Sequence, residues 1–211
     1  VAGGESQQGD PRDSGGAEPE RDRFIAAFGK AASEHGYRDL TVEQVARYAG
    51  TSREQVEVHF ANKEEGLAAA QDAFLNRIWL DVLDACESSG EWPVRVRAAL
   101  RSVIFSLTEA STLARVFAIE ATAASFAAAE RQFAALDGFA RLLRDGRRLY
   151  PEASELPAAT ERALVGGIAS IICGHLLAEE PRALAAVEPD LVELILVPYV
   201  GSSEAKQIAH G

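Results

Sequence analysis
The side chains best suited to specific hydrogen bonding gather in one stretch, Thr41–Lys63, TVEQVARYAGTSREQVEVHFANK. Thr41 stands three residues before Gln44, and Ser52 three before Gln55. In each pair a hydroxyl can take an orphan amide at a helix start while the carboxamide reaches back. Asn62 precedes Lys63, Glu64 and Glu65, so a third helix can start there with carboxylates at its positive end. Between the first two starts lies Ala49-Gly50-Thr51, where glycine can end a helix in the left-handed conformation. Val42, Val45, Ala46 and Ala49 share a face of the first helix, and Val56 and Phe60 share a face of the second. Two short helices across a glycine turn form the helix-turn-helix pattern, whose chemistry is the reading of base edges in the DNA major groove.

The elements that must position this stretch are read from composition and periodicity. The chain has 211 residues, 47% hydrophobic, enough for a sizeable core in one or two domains. Aromatics are only 7% and alanine is abundant, which favours an all-α fold. Net charge is −11, against general affinity for nucleic acid. Residues 1–20 carry Glu5, Asp10, Asp13, Glu18 and Glu20 against Arg12 alone, among Gly, Pro and Ser; they read as a disordered acidic tail. Residues 21–65 hold seven Lys or Arg (Arg21, Arg23, Lys30, Arg38, Arg47, Arg53, Lys63) against eight acids. Any DNA contact therefore comes from a few well-placed donors. Cys86 and Cys173 lack CxxC spacing and fit a reducing cytosol. No apolar run reaches the roughly 18–20 residues of a membrane span, and no leader pattern is present, so the expected location is cytoplasmic. There is no GxGxxG, phosphate loop, GxSxG, HExxH or zinc spacing; no enzyme, cofactor or metal is expected.

A first helix is predicted from Asp22 to His35, with Phe24, Ala27, Phe28, Ala31 and Ala32 on one face and Gly36 as its stop. Tyr37 and Leu40 then pack beneath the helix-turn-helix. An amphipathic helix followed by HGYRDLTVEQVARYAGTSREQVEVHFANKEEGL resembles the N-terminal domain of TetR-family transcriptional regulators over about 45 residues. The GY before the Thr, the AG turn, the HF closing the recognition helix and the following Lys carry the resemblance. It implies a DNA-binding domain over 21–66 and a helical effector-binding and dimerisation domain over 67–211, about nine helices in all. On the resemblance, Thr51, Ser52 and Lys63 hold phosphates, Arg53 and Gln55 read base edges, and His59 flanks them; Thr41, Arg38 and Arg47 are further candidates. One departure is Glu57, where the family commonly has a phosphate-contacting Tyr, and Glu54 adds a second acid. Carboxylates can accept from a cytosine amine but repel phosphate.

Beyond Asn62, KEEGLAAAQDAFLNRIWLDVLDACESS reads as one long helix with Leu67, Phe74, Ile78, Val82 and Ala85 in an apolar stripe. Pro93 suits the first turn of the next helix, which buries Val96, Leu100, Val103 and Leu107. Arg95, Arg97 and Arg101 lie off that line, a solvated or salt-bridged face or a second nucleic-acid patch. Glu120 is the one charge in VFAIEATAASFAAA and needs a partner: an arginine (Arg97, Arg101 or Arg131) or an effector. Phe126, Phe133 and Phe139 read as core. The segment 163–178, ALVGGIASIICGHLLA, divides into a small face (Ala163, Gly166, Gly167, Ser170, Cys173, Gly174) and a large one, predicting a helix buried on both sides. His175 on the large face is a core histidine or an effector contact. A last helix, introduced by Pro189 and Asp190 and ended by Pro198, carries Leu191, Leu194 and Ile195. The resemblance assigns these last two helices to a dimer interface made of Gly166, Gly167, Ser170, Cys173, Gly174, Leu191, Leu194 and Ile195. Candidate effector contacts, taken from apolar faces, are Phe105, Phe117, Glu120, Phe133 and His175. The resulting expectation is a homodimeric repressor on a near-palindromic double-stranded DNA operator, released by a small molecule. The alternative is an effector-binding or scaffold protein with weak or lost DNA binding.

Overall fold
The computed structural model describes residues 14–211, with side chains from residue 18 onward. Every regular element among them is helical, in nine helices. These are α1 (Ser14–Asp39), α2 (Val42–Ala49), α3 (Arg53–His59), α4 (Lys63–Glu87) and α5 (Trp92–Glu109). They continue as α6 (Ser111–Ala124), α7 (Phe126–Leu149), α8 (Thr160–Leu177) and α9 (Leu184–His210). The tail assigned to residues 1–20 lies outside the described residues up to position 13; from Ser14 the chain is already helical, earlier than the predicted start at Asp22.

Gly36 breaks α1 as its sequence suggests, at φ 77° and ψ 171°, a region an L side chain rarely enters. Beyond the break Leu40 is buried, and its neighbours α2 and α3 close a core of Phe24, Phe28, Val45, Val56 and Phe60. Phe28 meets Phe60 edge to face, their centroids 5.3 Å apart. That core also takes in Leu67 of α4 and Val116, Phe117 and Ala121 of α6. The helix-turn-helix unit is therefore packed directly onto the rest of the chain.

The second core is built by α5, α7, α8 and α9 around Trp92, Leu100, Ile168, Leu184, Val192 and Leu196. α5 and α6 turn by 101° where they meet, and no single helix among the described residues is long and apolar enough to cross a membrane. α6 is π-helical over Val116–Ala121, a rare winding that often marks functional positions. Pro189 and Pro198 neither begin nor end the last helix; both lie inside α9. The carbonyls they leave without an amide belong to Ala185 and Leu194, residues on the exposed side, where water can replace the lost bond.

One buried polar cluster ties three of these helices together. Glu161 of α8 is 1% exposed. It accepts from Arg147 Nε at 2.6 Å, Arg147 Nη2 at 3.0 Å and the Tyr199 hydroxyl at 3.1 Å. The same guanidinium donates to the carbonyls of Leu156 and Pro157, so every buried charge has a partner.

Candidate functional site
The helix-turn-helix forms through local chemistry. Thr41 and Gln44 make a complete capping box: the hydroxyl accepts from Gln44 N at 3.3 Å, and the carboxamide accepts from Thr41 N at 2.7 Å. Gly50 sits at φ 67°, ψ 39°, which lets the Thr51 amide return to the Ala46 carbonyl at 3.0 Å. Ser52 caps α3 and Asn62 caps α4 through their side-chain oxygens.

Burial of Val56 and Phe60 turns the opposite side of α3 outward: Arg53, Glu54, Gln55, Glu57 and Val58 are all exposed. Arg53 is held between two carboxylates, donating from Nε to Glu57 and from Nη1 to Glu43, each at 2.6 Å. The Ser52 hydroxyl and the first-turn amides keep the Glu54 carboxyl below its usual pKa, so it stays charged beside any approaching phosphate. Val58, 76% exposed, is an apolar tip suited to a thymine methyl.

A cavity of about 580 Å³ lies within the remaining helices, in the size range of small-molecule sites. Its walls are apolar, with Ile78, Leu100, Val103, Leu142, Ile168 and Ile172 among them. Both tryptophans, Trp79 and Trp92, line it. The polar lining is sparse: Asp72 and Arg131, paired at 3.1 Å, with Asn76 and Gln132 at one end, Arg141 beside Trp79, and Arg95 and Asp145 further along.

Cavity and helix-turn-helix unit meet at the π-helical turn. Ala118 and Phe74 line the cavity, and Phe74 rests on Phe117 with centroids 5.7 Å apart. Two residues on, the Glu120 carboxylate accepts the Tyr37 amide at 3.0 Å and lies 3.4 Å from Arg115. A Cβ on Gly36 would stand 3.0 Å from the same carboxylate.

Residues 26–70 match the sequence profile of bacterial regulatory proteins of the tetR family. The chain carries a tetR-family N-terminal domain. No curated protein matches in sequence. Solved structures similar to it include the fatty acid degradation regulator FadR of Bacillus halodurans, with TM-score 0.75 and 19% identity over 90% of this chain and 97% of that one. FadR of Bacillus subtilis, determined in complex with stearoyl-CoA, aligns with TM-score 0.69 and 16% identity over 85% and 98% of the two chains. A Rhodococcus transcriptional regulator aligns with TM-score 0.63 and 24% identity over 83% and 95%. At these identities the likeness beyond the tetR-type domain is one of fold.

On the tetR-type unit, Arg38, Arg47, Ser52, Arg53 and Gln55 are exposed and Thr41 and Thr51 lie at the helix starts. Lys63 is already engaged, its ammonium on the Arg38 carbonyl at 3.0 Å. His59 is turned inward, edge to face on Phe24 at 5.0 Å and 3.5 Å from Glu20, away from the reading edge. Sequence reasoning passed over Val58; the available signal was that only Val56 of the pair fits the apolar face with Phe60.

None of the five residues expected at an effector lines the main cavity. Phe117 is in the tetR-type core, Phe105 is 65% exposed and Phe133 is 67% exposed over a separate recess between α7 and α8. Phe126 is exposed as well, so only Phe139 of that trio packs inward, against Trp79. His175 is half-buried outside the cavity. Glu120 finds Arg115, not Arg97, Arg101 or Arg131, because the π-helical turn aims it at the Gly36 break. Arg97 is no solvated residue: it donates to the Ile208 carbonyl at 2.9 Å. Of the interface candidates, Gly166, Gly167, Ser170, Gly174 and Leu194 are exposed, whereas Leu191 and Ile195 are spent in the chain's own core and Cys173 lines the cavity.

Proposed function
We propose that the chain is a ligand-responsive transcriptional regulator, a repressor that binds a near-palindromic operator as a homodimer and leaves it when a small apolar molecule fills the cavity. One observation carries this reading: an outward-facing reading helix and an apolar cavity share a single connecting turn, Val116–Ala121. The open small-residue face of α8, where a Cβ on Gly166, Gly167 or Gly174 would meet nothing within 4 Å, suits close approach by a second copy. The stearoyl-CoA held by the Bacillus subtilis regulator supports an acyl-type effector. Release is a population shift: the effector favours the spacing of reading helices that fits DNA poorly, and DNA weakens effector binding by the same factor.

Selection from a random duplex pool, followed by gel shift, tests the reading. An inverted repeat with half-sites about one helical turn apart is expected. Failure of the folded protein to enrich any sequence would overturn it. The Glu43–Arg53–Glu57 clamp favours the second reading, a protein of this fold with little DNA affinity. Two substitutions separate them. Arg53→Ala is expected to weaken operator binding roughly ten- to hundredfold, while Glu57→Gln, which frees Arg53 and removes a repelling charge, tightens it. Equal affinity in wild type and both variants would favour the second reading.

Glu120→Ala removes the acceptor for the Tyr37 amide. Operator affinity without ligand is expected to change little, while effector-driven release loses most of the roughly 5–150-fold coupling typical of such proteins. Titration of effector into a fluorescent operator complex measures it; unchanged release would show that Glu120 transmits nothing.

A further inference from the structure
The cavity has a direction. Its wall follows α4 from Asp72 to Cys86, on the order of 20 Å at a helical rise of ~1.5 Å per residue. α7 runs beside it in the same sense, Arg131 opposite Asp72 and Phe139 against Trp79. Spread over that length, about 580 Å³ leaves a bore roughly one chain wide. The ends differ in charge. Near the reading unit, Arg131 is answered by Asp72. At the far end Cys86 meets the Arg95 carbonyl, and Arg95 is exposed with no ion-pair partner among the described residues; the Arg141 guanidinium lies nearer the middle, beside Gly138 and the Trp79 ring. Asp145, on the same lining, is paired with Arg148.

Resting on the effector reading above, we propose that the cavity takes one long acyl chain with its anionic head at Arg95, and that chain length is read where the methyl end meets Phe74 and Ala118. Guanidinium groups favour a carboxylate or phosphate head at the far mouth. The apolar tail then runs towards the π-helical turn that holds Glu120 against Tyr37. A short chain fills only the head-proximal part and never touches Phe74 or Ala118. Such a ligand binds without loosening the operator complex.

Trp79 and Trp92 are the only tryptophans and both line the bore, so intrinsic fluorescence reports binding directly. Stearoyl-CoA, stearate, stearyl alcohol and octanoyl-CoA are titrated against the free dimer and the operator complex. Stearoyl-CoA or stearate is expected to bind at least about tenfold more tightly than the neutral alcohol, and the better of the two names the head. Arg95→Ala should erase that preference, and Arg141→Ala should leave it in place. Octanoyl-CoA should quench the tryptophans yet leave the operator bound. Ala118→Phe should weaken stearoyl-CoA far more than octanoyl-CoA, with Ala118→Leu as a milder substitute if the phenylalanine variant is unstable. Equal binding of alcohol and acid, or equal loss of both chain lengths at position 118, overturns the orientation while leaving the effector reading intact. No quenching by any acyl compound, with operator binding preserved, overturns the effector reading itself.

Discussion
Glu161→Ala is expected to lower the unfolding free energy by about 3–5 kcal/mol, the usual cost of breaking a buried pair from one side. The carboxylate is 1% exposed and receives three hydrogen bonds from Arg147 and Tyr199. Its removal leaves a guanidinium and a phenol facing a void between α7, α8 and α9. Glu161→Gln keeps an acceptor and should cost less. Urea unfolding followed by helical circular dichroism measures both; a loss under about 1 kcal/mol for the alanine variant would show that water takes over the carboxylate's role.

The same cluster sets a pH dependence. Burial pushes the Glu161 carboxyl up, but the Arg147 guanidinium, the helix amide and the Tyr199 hydroxyl outweigh it and hold it below its ordinary value near 4.5. A lowered folded value means that its stabilisation is whole above that ordinary value and disappears as pH falls through the folded one. Tyr199 runs the other way. Burial, with the Glu161 charge behind it, raises the phenol above its ordinary value near 10, so its contribution is whole below that value and fades in strong alkali. Glu161→Gln should flatten the acid limb of the stability curve and spare the neutral region.

Gly66→Ala is the second large effect expected. A Cβ at Gly66 would stand 2.0 Å from Phe28 Cζ and within 2.5 Å of both ring edges. Phe28 is fully buried against Phe60 and cannot swing away. Overpacking of this kind costs about 1–3 kcal/mol or more, here at the joint between α1 and α4, so operator affinity should fall along with melting temperature. Shrinking the ring relieves the clash: Gly66→Ala with Phe28→Leu should lose less than the two single losses combined, a favourable coupling measurable in a double-mutant cycle. Additive losses would mean that the backbone absorbs the methyl group by moving.

The legible parts of the chain are those whose physics is local. Thr41, Gln44, Gly50, Ser52 and Asn62 cap or turn within three or four residues of themselves, and each does so where its spacing suggested. Long-range pairings left no such trace. Glu120 meets Tyr37 across 83 positions and Tyr199 meets Glu161 across 38, with no pattern to announce either. Periodicity also failed for a definite reason between Val116 and Ala129. The π-helical turn and the extended Ser125 (φ −142°, ψ 123°) each shift the phase of a 3.6-residue repeat, which sends Phe126 and Phe133 to the surface. A cavity residue such as Arg95 looked like an ordinary helix-surface cation, because the hollow it borders exists only once six helices have assembled.

The paired carboxylates around Arg53 bear on how such a protein would search a genome. A reading helix that carries its own counter-charges displaces few condensed cations from an arbitrary duplex, and it is cation release that holds proteins on the wrong sequence. Dwell times on unrelated DNA should be brief, and arrival at the correct address should proceed by repeated encounters from solution more than by sliding along the polymer. Only a target able to supply acceptors for Arg53 can draw it away from Glu43 and Glu57, which makes hesitation everywhere else a part of discrimination.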